Sequence, residues 1–178
     1  MVPKSILYLT GASMLVCLPM FALSIVNFGM LSIWLNATVA FLILIHHISF
    51  MAVAWVTRKK DTPKDIASED DDDSLHLAPE PSIAIHMANL AFLSFLTIIN
   101  IIAFSIMVDI TTRGGINSTL PIERIGHKWN IKIQIGQTAV LGVELVLLGA
   151  ILLISGLGRR RFAIEQEERD EEVEYNLA

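Results

Sequence analysis

The stretch "LILIHHISFMAVAW", residues 42–55, sets two adjacent histidines inside an otherwise apolar run. It belongs to a longer hydrophobic segment, 31–56, and three similar segments cover 5–28, 83–108 and 133–157. Each exceeds the roughly 20 residues that a helix needs to cross a bilayer. In hydrocarbon a chain must satisfy its own backbone, and a helix does so within one segment. None of the four segments alternates polar and apolar residues as a barrel strand would. The expected fold is an all-α membrane protein, a bundle of four transmembrane helices occupying residues 1–157. The composition agrees, with 53% hydrophobic residues and a mean hydropathy of +0.59 over 178 residues.

Charge placement gives a topology. Lys4 precedes the first span, Arg58, Lys59 and Lys60 follow the second, and Arg159, Arg160 and Arg161 follow the fourth. Basic residues flanking spans stay on the cytoplasmic side. Four spans put these three sites on one side, so both termini are expected in the cytoplasm of a cell whose plasma membrane or endomembrane holds the chain. The opposite loop, 109–132, carries Arg113, Arg124, Lys128 and Lys132, which weakens the bias without reversing it. An alternative treats the first span as a cleaved signal, because Ala22 and Ser24 stand at signal-peptidase spacing after Pro19. Against it, the apolar run is longer than a usual signal core and is preceded by a single lysine.

The linker 57–82 runs from basic to strongly acidic (Glu69 to Asp73) and then to Pro79 and Pro81. The tail 158–178 repeats the order, three arginines and then "EQEERDEEVEYNLA". With few large apolar residues, both are expected to be disordered. Their basic collars suit anionic lipid, and their acidic blocks are candidate surfaces for protein partners. Asn117 opens the sequon Asn117-Ser118-Thr119 and is a candidate glycosylation site in the outer loop. Trp129 stands where an interfacial aromatic would anchor the fourth span.

Within the spans, residues three, four, seven or eleven apart share a helix face. Thr10, Ser13, Cys17, Ser24 and Asn27 form such a stripe on the first span. Ser32, Asn36, Ala40, His47 and Ala54 form one on the second. His86, Asn89, Asn100 and Ala103 form one on the third, and Gln137, Glu144 and Ser155 one on the fourth. Four polar stripes predict one shared interior. Glu144 is the most informative residue, since an ionisable group in mid-span costs about 2.5–3.5 kcal/mol on insertion scales and is a functional candidate by default. His47 shares the inward stripe at similar depth, so a His47–Glu144 pair is expected. Three readings of it stay open: a structural hydrogen bond that fixes helix register, a proton or ion relay, and cofactor ligation. His86 is about two turns from His47 in depth, and His46 points off His47's face, which disfavours haem and zinc respectively. No cofactor and no metal are expected. His46, Asn89 and Asn100 read as interhelical hydrogen-bonding residues.

Gly142, Gly149 and Gly156 make a second stripe, spaced by sevens and nearly opposite Glu144. Small residues let helices approach closely in lipid. The stripe fits either contact with a second copy, and hence a homo-oligomer, or packing inside the bundle. Cys17 is the only cysteine, so an intrachain disulfide is excluded. No phosphate loop, serine elbow or HExxH motif is present, and the basic residues are few and hug the spans. Catalysis and nucleic-acid binding are therefore not expected.

The layout resembles the MARVEL-type tetraspan proteins and, more loosely, four-span membrane proteins of fungi. The resemblance covers residues 5–157 and rests on four spans, cytoplasmic termini and interior polar residues such as His47 and Glu144. It implies a role in membrane organisation, cargo sorting or membrane apposition, without catalysis, and it transfers no functional residue. The alternative is a subunit of a proton or ion transporter or channel that uses Glu144 and His47.

Overall fold

A computed structural model describes residues 2–26, 31–60, 86–113 and 131–177. Those residues form four helices, α1 (Lys4–Val26), α2 (Leu31–Lys60), α3 (Met87–Arg113) and α4 (Ile131–Leu177). Each is long and apolar enough to cross a membrane. The helices form a closed ring: α1 packs against α2 and α4, and α3 packs against α4 and α2. The first and last helices, α1 and α4, run antiparallel. Ser13 meets Glu144 while Ser24, further along α1, meets Gln137, earlier on α4.

The interior combines an apolar core with buried polar side chains. Met20, Val39, Ile43, Leu93, Leu96, Met107, Leu141 and Leu148 are fully buried. So are Ser13, Asn36, Asn100, Gln137 and Glu144. The outer face is apolar on every helix, with Leu15, Trp55, Phe95, Ile98, Val146 and Leu153 all exposed. A water-soluble bundle places its polar residues the other way round. Hydroxyls on the outer face return to their own helix: Thr38 donates to the Trp34 carbonyl and Ser105 to the Ile101 carbonyl, each at 2.8 Å. Such bonds to the preceding turn let a hydroxyl face an apolar surroundings without an unmet donor.

The tail departs from expectation. Residues 158–177, expected to be disordered, continue α4 without a break. The reason is local. Gly158 is the last glycine, no proline follows, and "RRRFAIEQEERDEE" is rich in strong helix formers. Arg161 and Glu165, and then Glu165 and Arg169, stand four apart, the spacing at which opposite charges support a helix. Most of the linker 57–82, the sequon at Asn117, and Asn27 and Trp129 lie outside the described residues; α2 itself runs on to Lys60.

Candidate functional site

Most serine and threonine hydroxyls among the described residues bond their own backbone, and Ser13 does not. Its Oγ lies 2.8 Å from His47 Nε2 on α2 and also bonds Glu144 Oε1 on α4. The expected His47–Glu144 pair is therefore bridged by a third residue, on α1. The contact continues on α2, where His47 Nδ1 is 3.3 Å from His46 Nδ1. His46 Nε2 is in turn 3.1 Å from Asn89 Oδ1 on α3. One hydrogen-bonded chain, Asn89–His46–His47–Ser13–Glu144, thus touches all four helices.

Helix geometry explains how adjacent histidines serve two partners. Consecutive residues are about 100° apart round a helix, so His47 points into the core while His46 turns toward α3. His46 stacks on Phe92 at 5.2 Å between ring centroids, which fixes its plane. Ile6 and Thr10 of α1, Leu93 of α3 and Ile151 of α4 close round the two imidazoles. His46 and Asn89 also line an open groove of about 530 Å³ between α2 and α3, with Phe50, Val53, His86 and Phe92. The chain therefore has one end at a groove and the other at a carboxyl group sealed in the core. The second carboxyl oxygen, Glu144 Oε2, is buried with no hydrogen-bond partner among the described residues.

A second polar set lies about three turns further along α1. Gln137 Nε2 donates to Ser24 Oγ at 3.0 Å, and Ser24 donates to the Met20 carbonyl at 2.8 Å. Asn36 is fully buried and both of its amide atoms lack a partner among the described residues; the same holds for Asn100. Between the two polar sets lie Cys17 and Met20 on α1, Ala40 and Ile43 on α2, and Leu141 on α4, all buried. The hydrogen-bonded chain ends at that apolar layer.

Of the residues singled out from sequence, His46, His47, Asn89 and Glu144 come together, while Asn100 makes no bond to them. His86 is exposed at the start of α3, where its Nδ1 accepts from the Ala88 amide at 3.4 Å. Among the described residues no three His, Cys, Asp or Glu side chains are grouped to hold a metal ion. The striped glycines of α4, Gly142, Gly149 and Gly156, do not share one environment. A Cβ at Gly142 would meet Phe104 of α3 at 3.2 Å, whereas Gly149 and Gly156 have open space. Sequence reasoning missed Ser13's double contact, since a serine in a span usually bonds its own helix. It also missed Gln134, which is buried with its Nε2 3.5 Å from Met107 Sδ. Its place three residues before Gln137, on the same face, was the available signal. Comparison with family models, curated proteins and solved structures returned no match to this chain.

Proposed function

We propose that this chain is a multi-pass membrane protein that organises membrane or escorts partners and has no catalytic activity. Both termini face the cytoplasm, and the host is the plasma membrane or an endomembrane. The observation that carries the reading is the inversion of polarity. One polar chain ties all four helices together inside, and large apolar side chains dominate the outer face of every helix. In a bilayer, helices gain little from apolar contact alone, and buried hydrogen bonds supply register. Its likeness to MARVEL-type proteins, an architectural one, belongs to the same proposal.

The partner-facing surfaces are the acidic linker and the tail. The helical continuation of α4 favours the second of these. From Arg159 to Leu177 it reaches about 28 Å beyond the apolar section at 1.5 Å per residue. Its helical backbone sets Glu165, Glu167 and Glu168 beyond arginines that favour a lipid surface.

A second reading, a subunit for proton or ion transport, is favoured by one observation: two histidines and Glu144 lie on a single hydrogen-bonded chain. The apolar layer beyond Glu144 weighs against a complete path through one copy. Flux separates the readings. Purified wild type in liposomes, under a proton or cation gradient, should show no flux above that of empty vesicles. Flux in wild type that is lost in a folded Glu144→Gln variant would reverse the order of the two readings.

A further inference from the structure

We propose that the chain Asn89–His46–His47–Ser13–Glu144 is a proton wire, through which the buried Glu144 carboxyl exchanges a proton with the groove between α2 and α3. The hydrogen-bond geometry allows two complete arrangements of the same protons on the same heavy atoms. In the first, Glu144 is protonated and donates to Ser13 Oγ, Ser13 donates to His47 Nε2, and His47 Nδ1–H donates to His46 Nδ1. His46 Nε2–H then donates to Asn89 Oδ1. Every member is neutral, and every donor has an acceptor.

In the second arrangement every bond inward of His46 reverses. Glu144 has given its proton to Ser13, Ser13 has given its own to His47 Nε2, and His47 has passed its Nδ1 proton to His46 Nδ1. Ser13 now donates to a Glu144 carboxylate, His47 Nε2–H donates to Ser13, and His46 Nδ1–H donates to His47. His46 carries protons on both nitrogens and still donates to Asn89. Three protons have each moved one bond, no heavy atom has changed partner, and the net result is one positive charge transferred from Glu144 to His46. His46 lines the groove, so the imidazolium gives its Nε2 proton to a base that enters the groove, and the Asn89 amide turns to donate Nδ2–H to the freed nitrogen. Uptake runs the same steps backward.

The surroundings suit this. His47 ends as it began, neutral, so no charge rests between the two ends. Among the described residues, the other titratable groups beside the wire are Cys17 on α1, buried one turn beyond Ser13, and His86 of α3 at the groove. Neither is a member of the wire. A serine that merely tied helices together would serve with either proton order. What makes this a wire is that Ser13 can donate to one neighbour while accepting from the other, in both directions. The inference goes beyond the organising role and does not need flux, because the wire ends blind at Glu144. It uses the residues of the transport reading, and its test leaves that reading separate.

The experiment is a pH jump on the full chain in nanodiscs, followed by time-resolved infrared spectroscopy. The carbonyl band of the protonated carboxyl is assigned to Glu144 by its absence in Glu144→Gln. In wild type an alkaline jump should remove it. Ser13→Ala should slow that loss about a hundredfold, the low end of what a positioned proton-transfer group contributes. Ser13→Thr, which restores a hydroxyl, should recover most of the rate. Should Ser13→Ala fail to fold, His46→Phe keeps a ring on Phe92 and removes the groove end of the wire, and it should be as slow. A Glu144 band that does not respond to pH in folded wild type would overturn the proposal. So would equal rates in wild type and either variant.

Discussion

The two polar sets inside the bundle differ in how completely they are joined. Around Ser13 every side chain has a partner on another helix or beside it, from Asn89 to Glu144 Oε1. Around Ser24 only Gln137 is joined across helices, and Asn36 and Asn100 hold four buried amide atoms without a partner among the described residues. Ser24, Asn36, Asn100 and Gln137 are all buried, whereas His46 and Asn89 of the joined set are only partly buried, so deeper burial does not account for the better joining. The lesson is that an interior polar residue fixes register only where a partner stands at bonding distance. Elsewhere it carries a desolvation cost with nothing to offset it.

The largest effect is expected at His47, which bonds in two directions. His47→Leu removes the contacts to Ser13 and His46 and strands polar atoms on both. It should cost about 2 kcal/mol of bundle stability, the range for orphaned buried partners, measured by reversible unfolding in mixed micelles. A loss below a few tenths would place His47 outside the load of the fold. Ser13→Ala should cost about 1 kcal/mol, between the average and the largest values for interhelical hydrogen bonds in membranes. In the other set the sign reverses. Asn100→Leu, or Asn36→Leu, replaces unpartnered amide by hydrocarbon of similar shape, and should leave stability unchanged or raise it by up to about 1 kcal/mol. A loss as large as that of Ser13→Ala would erase the distinction between the two sets.

The smallest effect concerns the glycines of α4. Gly149→Ala meets no atom, so it should be neutral or gain a few tenths of a kcal/mol from helix propensity. Gly142→Ala puts a methyl 3.2 Å from Phe104 Cε2, so the ring must shift, and this variant should be the less stable of the two. The same stability assay reads both. Equal stability would mean that the α3–α4 contact yields freely at Phe104.

Much of the architecture was legible in sequence because spans and stripes are periodic signals. Thr10, Ser13, Cys17 and Ser24, placed on one face by their spacing, are all buried, as are His47, Asn100, Gln137 and Glu144. The pairings were not legible in the same way. Spacing says which residues face inward, and it does not say how far one helix slides along the next. That slide decides whether His47 reaches Glu144 directly or through Ser13, and whether Asn89 meets His46 or nothing. The tail was misread for a different reason. High charge and low hydrophobicity argue for disorder in bulk, yet arginine and glutamate at spacings of four also favour a helix that α4 has already nucleated.

The most direct measurement is a double-mutant cycle between Ser13 and Glu144 in bilayer-mimetic unfolding. Ser13→Ala and Glu144→Gln are each measured alone, and then together. If the bond between α1 and α4 holds the bundle in register, the two losses will fall short of adding, with a coupling of about 1 kcal/mol, within the span known for interhelical hydrogen bonds in membranes. Strict additivity would contradict the account: it would mean that Ser13 and Glu144 act independently, and that the chain across the four helices does not hold them together.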